Sequence, residues 1–224
     1  MKTLILDIKE KTSLETIMLS HGIEAICANV DGRLRELTYD IEGQHEVTFL
    51  DLHDDESMRI YETTLRYVIL KVLYEYDQHI EVTFNYSISR SIYMDIQSNY
   101  PQDLIVSIIN EGLSKIISRK LPITRVTKPT EEIYDDYLKA NMSHKTHIFK
   151  YRNDEMTRVY QCGQYFNYLY GYMLPNTSYI KSYNIMTYHD GFILQYPRAE
   201  FDATIPTFKD EETYKNTLKH VAKW

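Results

Sequence analysis

The chain predicts an α+β protein: a small strand-rich unit around one short helix, followed by a mixed α+β domain whose largely antiparallel sheet packs on long helices. Three patterns carry that expectation. Short alternating apolar runs with two-residue turns crowd residues 1–54. Stripes of apolar residues at three- and four-residue spacing follow at 57–76 and 101–120. Brief β-prone runs separated by turn residues fill 157–196.

Residues 2–8 (KTLILDI) alternate as a strand, and Ser13 is placed to cap a short helix over SLETIMLS. Ile23–Val30 is strand-like, Asp31-Gly32 is a hairpin turn, and Leu34–Leu37 returns as its partner. Ile41–Leu52 closes the unit near Asp54, with a turn at Glu42-Gly43 before the apolar strand Val47–Leu52. Ser57 is expected to cap a long helix striped by Tyr61, Leu65, Val68, Ile69, Val72, Leu73 and Tyr76. Ile80–Phe84 and Ser91–Ile96 read as strands joined through SISR. Pro101 opens the next helix, whose stripe runs from Leu104 to Ile117 and ends in basic Arg119 and Lys120. Ile123–Val126 is a strand, and Thr130–Asn141 a helix with Ile133, Tyr134, Tyr137 and Leu138 inward. Thr157–Cys162, Tyr179–Ile185 and Gly191–Tyr196 supply later strands, with turn residues at Pro175-Asn176 and His189-Asp190-Gly191. Lys209–Lys223 reads as a terminal helix with little chain left to pack on.

Composition is that of an ordinary folded protein: 43% hydrophobic and 25% charged, with seven Gly and six Pro. Two cysteines, Cys27 and Cys162, make neither a disulfide framework nor a CxxC metal pattern, so a reducing cytoplasm is the expected compartment. No apolar run is long enough to cross a membrane as a helix. The formal charge of -7 weighs against broad electrostatic capture of nucleic acid. One local exception is SRKLPITRVTK, 118–128, with four cations and no acid, which reads first as a solvated loop and edge strand. Tyrosine is the outlying residue type, 21 copies, eleven of them after residue 150. A core or pocket wall explains them better than a base-stacking face, because the charge that stacking on nucleic acid requires is missing.

The segment ANVDGRLREL, 28–37, followed by RIYETTLRYVILKVLYEYDQHIEVTFNYSISRSIY, 59–93, resembles the N-terminal half of threonyl-tRNA synthetases, a TGS domain followed by an editing-type ("second additional") domain. The later segments VYQCGQYFNYLYGYMLPNTSYIKSY, YHDGFILQYP and KHVAKW resemble the corresponding part of bacterial uridine kinase-like proteins. The resemblance implies a ubiquitin-like β-grasp (TGS) domain at 1–54, an editing-like domain at 55–200, and a linker or helix at 201–224 leading toward a C-terminal uridine kinase-like domain. It implies a nucleotide or tRNA ligand, no cofactor and no membrane.

The family's helix carries an HxxxH pair and a later CxxxH. Carried over, these positions fall on Glu62 and Arg66, and on Cys162 and Phe166, so three of the four have changed type. Two imidazoles one turn apart exchange protons near neutral pH. Glu62 and Arg66 instead make a favourable helix ion pair contributing roughly 0.2–0.5 kcal/mol, with Arg66 as an alternative anion hook. Cys162 has no neighbouring base and reads as a small buried strand residue. Tyr93 and Tyr165 complete the candidate ligand-binding residues. His144 and His147 lack the further ligands a metal needs, so no metal site is expected. No Gly opens a GxxxxGK[ST] loop, which excludes phosphoryl transfer by the P-loop mechanism in this chain. The expected function is therefore a non-catalytic nucleotide- or RNA-binding module with a degenerate editing site, the alternatives being an aminoacyl-tRNA deacylase and an assembly domain.

Overall fold

The computed structural model describes residues 2–140, 142, 145–146 and 155–210. The first strand, β1 (Lys2–Ser13), runs past the expected end at residue 8 and delivers Ser13 as the N-cap of α1 (Leu14–Ser20), where its hydroxyl accepts from Thr16 N at 3.2 Å. Strands β2 (Cys27–Val30) and β3 (Arg33–Glu36) form a hairpin over Asp31-Gly32. Both turn residues have positive φ, 50° and 75°, the condition for a two-residue turn that follows strand twist. Strand β4 (Asp40–Leu50) pairs with β1 along almost its whole length. The expected turn at Glu42-Gly43 does not form; β1 bulges between Ile8 and Thr12, and Gly43, at φ 91°, lets β4 continue past it. The resulting sheet, in the order β1-β4-β2-β3, covers a core of Leu14, Ile17, Met18, Val30, Leu37, Val47 and Phe49.

The long helix α2 (Asp55–Tyr76) is capped by Asp54, not Ser57. The Asp54 carboxylate accepts from the Glu56 and Ser57 amides, while Ser57 is buried against Cys27 Sγ at 3.3 Å. The strands β5 (Glu81–Ile88) and β6 (Ser91–Gln97) are longer than expected because SISR is not all loop. A two-residue turn at Ser89-Arg90, both left-handed, closes the hairpin. Helix α3 (Gln102–Ser118) packs on α2, and Gly112 brings the two close: a Cβ there would lie 2.3 Å from Val72 Cγ1.

Strand β7 (Thr124–Pro129) leads into α4 (Thr130–Lys139). Ile133 and Tyr137 of α4 are inward as expected, but Tyr134 and Leu138 are exposed, since a short helix at the margin buries a single narrow stripe. A three-stranded antiparallel sheet, β7-β8-β9, is completed by β8 (Met156–Cys162) and the unforeseen β9 (Tyr165–Asn167). The stretch Tyr179–Ile185 is not a strand. It begins in a 3-10 turn at Thr177–Tyr179, and the strand is displaced to β10 (Asn184–Tyr188), hairpinned to β11 (Gly191–Gln195). These strands make a second four-stranded antiparallel sheet, β10-β11-β6-β5. His144, His147 and nearly all of the expected terminal helix lie outside the described residues.

A second and larger hydrophobic cluster is built around α2, with Met94, Ile96, Phe192 and Leu194 from one sheet and Val159, Tyr160, Cys162 and Tyr165 from the other. The two clusters meet along a polar seam. Buried Glu36, at the end of β3, accepts from Tyr160 OH at 2.7 Å and pairs with Arg125 Nε at 3.2 Å. Glu15 on α1 accepts from Tyr179 OH at 2.8 Å.

Strand β11 begins at a residue that permits no side chain. A Cβ on Gly191 would stand 2.3 Å from Tyr93 Oη and 2.6 Å from the Met94 carbonyl oxygen, and the latter is backbone that cannot rotate away. Gly191→Ala is expected to destabilise the protein by about 1–3 kcal/mol in urea unfolding, the usual cost of overpacking; an unchanged midpoint would show that β6 and β11 can separate freely.

Candidate functional site

Helix α2 carries two separate polar sets on opposite faces. Glu62 and Arg66 face the sheet of β5, β6, β10 and β11, with Arg66 Nη2 2.6 Å from Glu62 Oε1. At the end of β11, Tyr196 donates its hydroxyl to Glu62 Oε2, and Arg198 Nη1 donates to that hydroxyl oxygen at 2.6 Å. The Arg66 guanidinium lies over the Phe84 ring, 5.1 Å from its centroid, while its buried Nε has no hydrogen-bond partner. Arg198 continues the chain to Glu200 at 3.3 Å. Burial, reinforced by the Glu62 carboxylate, pushes the Tyr196 phenol up, so it stays a donor at neutral pH. Each charge here already has a counter-charge, and Arg66 is engaged on its carboxylate side. The ion pair expected from the sequence is present; an open cleft beside it is not part of this arrangement.

Lys71 follows Glu62 by nine residues, and at about 100° per residue that places it half a turn away, on the far side of the helix. That far side, carrying Tyr67 and Lys71 at a spacing of four, meets the β8–β9 hairpin. Tyr67 is fully buried and its hydroxyl lies within donating distance of the Tyr160 carbonyl at 3.1 Å and the Tyr165 carbonyl at 3.2 Å. Lys71, 2% exposed, is paired with Glu75 one turn on. Cys162 ends β8 with no exposure. Desolvation pushes its thiol up, opposed by the Lys71 ammonium and supported by the Glu75 carboxylate.

Tyr165 faces Cys162 across the hairpin and inserts between two rings of α2, edge-on to Tyr67 at 5.2 Å and tilted against Tyr74 at 5.5 Å. Its hydroxyl accepts from Asn167 Nδ2 at 3.2 Å and from Lys145 Nζ at 3.5 Å; burial pulls the Lys145 ammonium down to about 8. Asn167 Oδ1 in turn accepts from Tyr137 OH at 3.1 Å. Phenols, an amide and lysines thus pack around the sulfur, and Tyr67, Tyr137, Asn167, Lys71 and Lys145 each have a named acceptor.

The structure therefore separates the residues the sequence grouped. Cys162 and Tyr165 stand together with Tyr67 and Lys71, whereas Glu62 and Arg66 stand apart with Tyr196 and Arg198. Phe166 turns away from Cys162 onto the Tyr137 ring, 5.0 Å between centroids, because neighbouring strand residues point to opposite faces. Tyr93 lies on the outer face of its sheet, stacked on Tyr86 at 5.0 Å, while its neighbour Met94 faces α2. Sequence reasoning missed Tyr67 and Lys71; a lysine inside an otherwise apolar helix stripe was the signal that could have found them. Among the described residues, no group of three or more His, Cys, Asp or Glu is arranged to hold a metal ion.

No family model matches the chain. It is similar to threonine-tRNA ligases: 26% identical over 177 residues to that of Halalkalibacterium halodurans, covering 75% of this chain and 27% of the ligase. The ligase of Desulfatibacillum aliphaticivorans is 26% identical over 176 residues, 75% of this chain and 26% of its own. That of Clostridium kluyveri is 23% identical over 187 residues, 82% and 28%. The chain spans about a quarter of the length of the curated relatives it matches.

Two outcomes follow from the burial of these groups. Both thiols are desolvated, Cys27 being pushed up to about 12, so neither is expected to react with Ellman's reagent at pH 8 until denaturant is added; prompt labelling of the native protein would show that the Cys162 face opens. Burial also raises the Tyr67, Tyr137 and Tyr165 phenols above the ordinary 10.0. A raised folded-state value contributes stability that is complete below pH 10 and lost as pH climbs beyond it. The share of tyrosinate absorbance at 295 nm that belongs to these buried phenols is therefore expected to appear only with loss of the far-ultraviolet circular dichroism, after the exposed tyrosines have ionised; titration of all tyrosines with the fold intact would contradict it.

Proposed function

We propose that this chain is an editing-type, tRNA-directed module related to threonine-tRNA ligases, with the division into units at 1–54 and 55–200 that the sequence suggests, and that it binds the aminoacyl-bearing end of tRNA. The observation that supports this most is the similarity to those ligases across three quarters of the chain. The site supports binding over cleavage. The Cys162 thiol is held protonated by burial, no imidazole stands beside it among the described residues, and tyrosines pack around it. A uridine kinase-like continuation and a nucleotide ligand, which the sequence also suggested, gain no support from the relatives reported above.

One arrangement favours a second reading, deacylation. Cys162, the Tyr67 hydroxyl and the Lys71 ammonium share one face of α2, so a small opening of the β8–β9 hairpin would set a phenol, a thiol and a cation around an ester carbonyl.

Fluorescence anisotropy with labelled tRNA and an acceptor-stem hairpin, run beside a deacylation assay on seryl-tRNA, separates these readings. The expected result is tRNA binding that weakens as salt rises, with seryl-tRNA hydrolysis at the spontaneous rate. Absence of tRNA binding overturns the tRNA-directed reading. Hydrolysis that disappears in Cys162→Ala and Lys71→Met overturns the binding-only reading in favour of deacylation.

A further inference from the structure

At the seam between the two hydrophobic clusters, cations and aromatic rings gather around a single carboxylate. Arg35, on the edge strand β3, lies over the Tyr39 ring at 4.8 Å and reaches Tyr172 OH at 3.5 Å. From the edge strand β7, Arg125 lies over the other flank of this cluster, 5.6 Å from the Tyr172 centroid. One carboxylate touches the set, Glu36, 3% exposed and beneath it, taken up by Arg125 Nε and Tyr160 OH. Among the described residues, Arg33 and Arg35 have no carboxylate within ion-pair distance. Arg33 stands two residues from Arg35 on the same strand, about 7 Å along it and on the same face. Tyr170, in the adjoining loop, is 92% exposed, whereas Tyr160, which donates to the neighbouring Gly171 carbonyl, is buried.

We propose that this seam is a docking surface for the RNA sugar-phosphate backbone, with Arg33 and Arg35 on phosphates and Tyr170 stacking on an unpaired base. The inference rests on the tRNA-directed reading and names its surface, which is neither the Cys162 face nor the Glu62–Arg66 face of α2. The Arg35 guanidinium, held by the Tyr39 ring, is pre-ordered, and Arg33 beside it is an exposed cation; both offer the bidentate geometry that suits phosphate. An exposed tyrosine beside them adds a π-face that any base can use. The chain's net negative charge opposes this little, because screening in physiological salt limits each charge's reach to about 8 Å, and Glu36 is already paired with Arg125 and Asp31 with His45. Both cationic strands sit at sheet edges, so a backbone can run alongside without displacing a paired strand. An acidic polypeptide would meet the arginines equally well but would leave Tyr170 unused.

The test is salt-dependent anisotropy of the full chain with a labelled acceptor-stem hairpin carrying its single-stranded end. Arg33→Glu with Arg35→Glu is expected to weaken binding at least tenfold and to flatten the log-log salt slope by roughly 1–2. Tyr170→Ala, at a fully exposed position with no folding role, is expected to weaken binding several-fold on the hairpin with the overhang and not on a blunt duplex. Lys9→Glu with Lys11→Glu, the same charge change on β1 at the opposite edge of the sheet, is the control and is expected to have less than a twofold effect. Equal loss from both charge reversals overturns the docking surface and leaves the tRNA-directed reading intact. No RNA binding by the unaltered protein overturns both together. Competition by polyglutamate as effective as that by unlabelled RNA overturns the RNA assignment in favour of an acidic protein.

Discussion

Burial of helix α2 on opposite sides is the constraint from which the rest of this molecule follows. Twelve of its 22 residues are buried, and they wind around most of its circumference. One four-stranded sheet takes the face of Glu62 and Arg66, the β8–β9 hairpin takes the face of Tyr67 and Lys71, and α3 packs alongside. A helix enclosed in this way cannot place all its polar residues at one solvent-lined groove, so each must find a partner where it stands. The polar groups on the two faces consequently form two self-contained networks, one of arginine, glutamate and tyrosine and one of tyrosine, lysine and cysteine.

Tyrosine is the residue type that makes such double enclosure tolerable. Its ring supplies apolar area comparable to phenylalanine while its hydroxyl bonds a carbonyl or carboxylate that the packing would otherwise strand. Tyr67, Tyr137, Tyr160 and Tyr196 all do this within the second cluster, each reaching a named acceptor, while the Tyr165 hydroxyl accepts from Asn167. Among the described residues six tyrosines are buried, most of the others are half-buried, and the exposed ones are a minority of four. Tyr170, at the seam, belongs to that minority.

Along the seam and beside Cys162, the same polar groups that satisfy the packing also set what chemistry is left to the molecule. The two clusters are joined through Glu36 and Glu15, so the seam holds its geometry independently of the residues packed beside Cys162. A buried thiol with no base beside it among the described residues, flanked by phenols that stay protonated, has little to offer a reaction that begins with a thiolate.

Strand and helix periodicity were legible in the sequence because they are local: the Ser13 cap, the Asp31-Gly32 hairpin, the α2 and α3 stripes and the β11 strand each depend on residues within a few positions. The misplacements were equally local, a capping carboxylate at Asp54 outcompeting Ser57 and a left-handed pair at Ser89-Arg90 extending a hairpin. What the sequence by itself determined was an α+β chain with two long amphipathic helices, an internal ion pair at Glu62 and Arg66, and a cysteine that is buried and unassisted. Only the tertiary structure decided which helix face meets that cysteine, since a helix turns 100° per residue and the partner strand arrives about a hundred residues later in the chain. Packing over that separation put Tyr67 and Lys71, rather than Glu62 and Arg66, beside the sulfur.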